Sequence, residues 1–204
     1  GSINYYVQKI FSNNAGTTLL KSELDGALIA PSDLKGKIGV GTWYTTAEFD
    51  NISITDNKTG KVLDKNNFSL GIFDLDWSEP TSGEWKIKKG RLMSTEEWMS
   101  DTNHGAVTFY GDTDWNNYTY SVDCTKTGGS EGFIIPFAVQ DESNYIFWNI
   151  GGWENTKSAL QRVENGIKTE ALPETTTDFT VETGKTYEIK LVVDGYSAKG
   201  YIDG

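Results

Sequence analysis

The sequence predicts an all-β protein, a two-sheet antiparallel sandwich in jelly-roll style, preceded by a short N-terminal helical stub. Three observations carry this. From Ile38 onward, about a dozen extended apolar runs follow one another at short, regular intervals, the spacing of an antiparallel sandwich. Hairpin punctuation separates them, with Lys89-Gly90, Asn165-Gly166 and Asp194-Gly195 as the clearest turns. Beyond Leu20 no stretch shows convincing helical periodicity, and no internal repeat is visible.

Taken in order, residues 4–11 (NYYVQKIF) place Val7, Ile10 and Phe11 at helical spacing, with Asn4 available as an N-cap. SNNAG ends this helix, which is too short to be stable alone in water and needs a neighbour. Lys21 to Lys37 is loop-like, punctuated by Pro31 and Gly36. KIGVGTWYTTAEFDNISIT is a pair of extended runs carrying Trp43, Phe49, Ile52 and Ile54; the step from Phe49 to Ile52 breaks alternation and predicts a bulge. DNKTGK turns into Val62-Leu63, and EWKIKKGRLMS is a hairpin. GAVTFYG, NYTYSVDC, GFIIPFAVQ and NYIFWNI follow as strands. Pro136 has no ladder donor, so its strand is expected at an edge or bulged there. In TYEIKLVVD, Tyr187, Ile189, Leu191 and Val193 share one face. Tyr201 to Gly204 reads as a strand running into a turn.

Composition bounds the partners. In 204 residues, 29 acidic side chains face 18 basic ones, a net charge of −11. Such a field repels nucleic acid, anionic lipid and strongly acidic polysaccharide. Neutral partners remain. No apolar run reaches the ~20 residues of a membrane span. No signal peptide is visible, and Gly1-Ser2 reads as a cloning remnant, so a leader upstream is compatible with the sequence.

The stretch Asn144 to Asn155 (NYIFWNIGGWEN) concentrates aromatic rings and amides. Alternation puts Ile146, Trp148 and Ile150 on one face, and Tyr145, Phe147 and Asn149 on the other. Both faces are apolar, so one enters a core and the other is covered or binds something. Gly151-Gly152 then ends the strand and lifts Trp153, Glu154 and Asn155 onto a loop. Flat rings beside amide donors and acceptors suit a neutral sugar, which offers a face to stack on and hydroxyls to bond. Trp153, Trp148, Tyr145, Asn149, Asn155, Glu154 and Trp98 are the candidate carbohydrate-binding residues.

Other chemistries find little support. His104 is the only histidine, in the polar loop DTNHG, too few for a zinc site. Asp112 and Asp114 offer oxygens to a structural calcium but lack EF-hand spacing, and no other cofactor is implied. Cys124 shares a strand face with Tyr118, Tyr120 and Val122 and reads as a small buried hydrophobe. Glu48-Phe49-Asp50 resembles the start of the E-x-D-x-x-E strand of concanavalin-like endoglucanases. The third acidic position holds Ser53, so one partner of the acid/base pair is missing and hydrolysis is not expected.

Two passages carry a family resemblance. YYVQKIFSNNAGTTLL resembles the end of the catalytic barrel in α-L-arabinofuranosidases of glycoside hydrolase family 51. KIGVGTWYTTAEFDNISIT, GGSEGFIIPF and NYIFWNIGGWENT resemble the concanavalin-like (laminin G-like) accessory domain that interrupts some of those enzymes. The resemblance implies a division into a barrel stub and linker at 1–36 and a sandwich module at 37–204. The family's catalytic glutamates lie upstream of the stub, so the chain is expected to be non-catalytic. Its implied partners are a neutral plant polysaccharide or oligosaccharide and the enzyme's own barrel, at an extracellular or cell-surface location, with a cytoplasmic one open. The alternative is a structural or oligomerisation domain packing on the barrel without ligand.

Overall fold

The computed structural model describes residues 34–71, 77–95 and 105–204, together with the backbone of two strands at 6–11 and 18–23. Those two, β1 (Tyr6–Phe11) and β2 (Thr18–Glu23), form an antiparallel hairpin with Tyr6 opposite Glu23 and Phe11 opposite Thr18. The helix expected over 4–11 is therefore corrected to a strand. Its aromatic and β-branched residues favour extended backbone, and residues 18–23 supply the hydrogen-bonding partner that a two-turn helix lacks.

The sandwich begins with β3 (Ile38–Thr42), β4 (Thr45–Asp56), β5 (Val62–Asn66), β6 (Trp85–Lys88), β7 (Arg91–Ser94) and β8 (Ala106–Tyr110). It continues with β9 (Tyr118–Gly129), β10 (Phe133–Asp141), β11 (Asn144–Gly151), β12 (Lys157–Glu164) and β13 (Ile167–Lys168). β14 (Thr177–Asp178), β15 (Thr186–Val193) and β16 (Ala198–Ile202) complete it. Sheet I runs in the order β13-β12-β11-β10-β3-β8, with β14 on β12. Sheet II runs β16-β15-β9-β4-β7-β6, with β5 on β4. Every ladder is antiparallel, and the two sheets pack as a β-sandwich.

The predicted irregularities fall where the sequence placed them. The Phe49–Ile52 step is a bulge: the β4–β9 register shifts between Asp50 and Ser53, with Asn51 at φ 50. Pro136 lies on an interior strand, and β10 bulges just beyond it at Ala138 (φ 51), so the proline's missing donor falls where the β3 pairing is interrupted. Lys89-Gly90 and Asn165-Gly166 both carry two successive positive φ values, as tight hairpin turns require.

Between the sheets lies the main core. Sheet II contributes Phe49, Ile52, Ile54, Tyr120, Val122, Cys124, Ile189 and Leu191; sheet I contributes Ile38, Phe133, Ile135, Phe137, Trp148 and Ile150. Trp148 is fully buried. Its ring lies where a side chain at Gly200 of β16 would begin: a Cβ there would come within 2.6 Å of the ring. The indole N–H has no hydrogen-bond partner. A second apolar layer covers the outer face of sheet I, made by Val107, Phe109, Ile134, Tyr145, Phe147 and Val163, with Trp43 packed against it.

This packing makes a stability prediction. Trp148→Ala empties the ring's volume and is expected to cost about 3–5 kcal/mol. Trp148→Phe breaks no hydrogen bond and should cost clearly less. Gly200→Ala forces the ring aside and should cost about 1–3 kcal/mol. Urea unfolding of the three variants checks this order.

Candidate functional site

Strand register brings three connections to one end of sheet I. Thr42 ends β3 opposite Phe133, which opens β10, and Phe133 lies opposite Ile150 near the end of β11. The turns at 43–44, 129–132 and 151–156 therefore leave neighbouring strands side by side. The outer two start about two strand spacings apart, roughly 10 Å. Sheet II reaches the same edge, with Thr45 of β4 opposite Gly129 of β9.

The turn after β11 has unusual backbone geometry. Gly151 (φ 67) is followed by Gly152 and then by Trp153, Glu154 and Asn155 at φ 52, 60 and 61. Successive non-glycine residues in the left-handed region cost about 1–2 kcal/mol each, so other contacts must hold them. The Asn155 side chain spans the backbone of Val181, donating from Nδ2 to the carbonyl at 2.9 Å and accepting the amide at Oδ1 at 2.8 Å. Thr156 closes the turn, donating its amide to the Gly152 carbonyl at 3.0 Å and its hydroxyl to the Trp153 carbonyl at 2.7 Å. Trp153 is left half-buried, with Lys157 Nζ 5.3 Å from its ring centroid, and Glu154 is exposed.

Across the rim, Tyr44 is also left-handed, at φ 46, and is 40% exposed. Its carbonyl accepts the Ser130 amide at 2.8 Å. Its neighbour Trp43 turns onto the outer layer, with Lys168 Nζ 3.5 Å from its ring centroid. Bulky residues at positive φ are genuine outliers, and such strain concentrates at functional sites. Here two aromatic outliers flank one edge.

Glu131 sits between them. Its Oε1 accepts the Glu154 amide at 3.4 Å, and its own amide donates to Thr45 Oγ1 at 3.1 Å. Gly132 lets this segment pass close to its neighbours: a Cβ there would meet the Ile150 carbonyl at 2.1 Å. Burial pushes the Glu131 carboxyl above its ordinary range, against the opposing pull of the Glu154 amide, Lys168 and the Trp153 amide. Burial likewise lowers Lys168 and Lys126, while Glu131 pulls both back up.

The structure separates the expected site residues. Trp153 and Glu154 are at the rim. Asn155 is there too, but its amide is consumed by Val181. Trp148 is corrected to a core residue, because alternation turns it inward between the sheets. Tyr145 is corrected likewise: it is buried in the outer layer, edge-on to Phe109 at 5.1 Å. Asn149 is buried and donates to Gln161 Oε1 at 3.2 Å beneath Gly152, so it supports the turn rather than facing solvent. Trp98 and His104 lie outside the described residues. Glu131 and Tyr44 are not among the carbohydrate-binding residues expected from the sequence. The signal was a lone glutamate bracketed by glycines in GGSEG, and a second aromatic directly after Trp43.

Elsewhere, Glu48 and Asp50 share Arg91, at 2.7 and 3.9 Å. Asp112 accepts the Asp114 amide, and Asp114 pairs with Lys35 at 2.5 Å. Among the described residues no group of three or more His, Cys, Asp or Glu is placed to hold a metal ion. No helix among them is long and apolar enough to cross a membrane.

The fold and rim define a β-sandwich with aromatic side chains at the ends of its strands. No family model matches the chain, and no solved structure matches it. Along its whole length it is similar to a curated protein, the extracellular exo-α-L-arabinofuranosidase of Streptomyces chartreusis, at 34% identity over 203 residues. The alignment covers 100% of this chain and 23% of that enzyme, so the chain spans about a quarter of its relative.

The clamp on the turn gives a test. Asn155→Ala removes two hydrogen bonds of about 1 kcal/mol each and leaves an alanine in a left-handed position. A loss of about 2–3 kcal/mol is expected in chemical unfolding. Asn155→Gly, which relieves the backbone strain, should lose less.

Proposed function

We propose that the chain is a non-catalytic carbohydrate-binding module of a secreted α-L-arabinofuranosidase, of concanavalin-like (laminin G-like) jelly-roll type and of the family 51 kind. On this reading the module proper runs from 37 to 204, and residues 1–36 join it to the catalytic barrel. The supporting observation is the strained aromatic pair, Tyr44 and Trp153, held beside Glu131 at one edge of the sandwich. The relative's identity as an arabinofuranosidase directs the choice of ligand to neutral, arabinose-bearing plant polysaccharide.

The binding mechanism is stacking plus hydrogen bonding. A ring that buries ~50 Å² against a sugar face contributes about 1.2 kcal/mol at ~25 cal/mol/Å². Two rings and a few hydrogen bonds of about 1 kcal/mol each reach about −4 to −5 kcal/mol, near millimolar affinity. Weak binding of this order holds an enzyme near a polymer without trapping it.

Trp153→Ala and Tyr44→Ala should each weaken binding of an arabinoxylan oligosaccharide by about 1–2 kcal/mol, one stacked ring, and leave the melting temperature nearly unchanged. NMR titration paired with thermal unfolding measures both. Loss of stability without selective loss of affinity would assign the rim to a structural role against the barrel. Release of arabinose from an aryl arabinofuranoside by the repurified chain would overturn the non-catalytic reading.

A further inference from the structure

Glu131 is chemically out of balance with its surroundings. It is partly withdrawn from water, and its carboxylate is met by backbone amides alone, a long bond of 3.4 Å from Glu154 and a contact from Trp153. Lys126 of β9 and Lys168 of β13 both feel its charge, but neither forms an ion pair with it among the described residues. Glu154 adds a second carboxylate from the neighbouring turn. An ionised carboxylate has about four acceptor positions, and the two amides do not fill them at this edge flanked by aromatic rings.

We infer that Glu131 is a ligand-contacting residue of the rim, its carboxylate accepting hydrogen bonds from two adjacent hydroxyls of a neutral sugar stacked on Trp153. The inference rests on the carbohydrate-binding reading and assigns the polar half of that site. A carboxylate accepts two neighbouring O–H donors in one plane, so the ligand class is a vicinal diol. Bonds to an ionised acceptor are about twice as strong as neutral ones. The lysines serve to keep the acid ionised near neutral pH while leaving its oxygens open.

Stability and binding then respond to pH with opposite signs. A carboxyl raised above its unfolded value holds its proton more firmly in the folded protein. Its contribution to stability is fully present below the unfolded value and is lost as pH rises through the folded one. Ionised Glu131 is thus a net cost to the fold at neutral pH, which hydroxyl donors from a ligand would offset.

The test compares wild type, Glu131→Gln and Trp153→Ala by NMR titration with an arabinoxylan oligosaccharide at pH 7 and pH 4, with melting temperatures alongside. Glu131→Gln is expected to melt at the same or a higher temperature at pH 7 and to bind roughly tenfold more weakly. Wild-type affinity should fall on acidification, and the Glu131→Gln profile should be flat. Wild-type affinity and pH profile in Glu131→Gln, with Trp153→Ala still impaired, would overturn this inference and leave the module reading standing. A lower melting temperature for Glu131→Gln would also overturn it. No binding by wild type at either pH would overturn the module reading and this inference together.

Discussion

Strand β11 is withdrawn from water on both faces, and the rest of the molecule follows from that constraint. Trp148 points between the sheets and Phe147 points into the outer layer, and neither is exposed. A half-solvated antiparallel strand normally alternates apolar and polar residues; this one has no polar face to give. Sheet I therefore offers no broad flat surface along its central strand. On the proposed binding reading, contact with a ligand is displaced to the places where strands end and side chains escape the alternation, which are the turns at 43–44, 129–132 and 151–156.

Those turns are held by the close packing they border. Gly200 admits the Trp148 ring, and Gly132 admits the Ile150 carbonyl. With the strand ends fixed so tightly, short connections must reverse direction within a few residues, and they do so through left-handed backbone at Tyr44 and Trp153–Asn155. The Asn155 clamp on Val181 and the Ser130 amide on the Tyr44 carbonyl secure that geometry. A rigid turn matters for a weak binder, since each mobile side chain immobilised on binding costs about 0.5–1.5 kcal/mol, comparable to the gain from one stacked ring.

Period-two alternation made most of the fold legible from the sequence. The faces of β9, β11 and β15 were assigned correctly because Cβ direction depends only on parity. Bulges at Asn51 and beside Pro136 were visible as broken alternation and a missing donor. The site was legible only in part. Parity said that both faces of β11 were apolar, but not that both would be covered, so Trp148 and Tyr145 looked available when they were not. Asn155 and Asn149 advertised free amides whose partners, Val181 and Gln161, are set by tertiary contacts. Glu131 becomes significant only through register, which places it between two turns distant in sequence. The N-terminal strand was misread because three apolar residues at helical spacing do not reveal a strand partner seven residues further on.

Charge at the rim differs from charge over the whole chain. The protein carries a net −11, whereas around the rim Glu131 and Glu154 are faced by Lys126, Lys157 and Lys168. At physiological ionic strength fields decay over about 8 Å, so a ligand at this edge meets the local balance more than the distant acidic surface. That balance is close to neutral and favours neither strong anions nor strong cations. Discrimination must then come from short-range geometry: the ring planes of Tyr44 and Trp153, and the direction of the Glu131 oxygens. A neutral polyol is the chemical class that would use both, and on the proposed reading it would bind without the desolvation cost that a charged ligand would carry into a partly buried site.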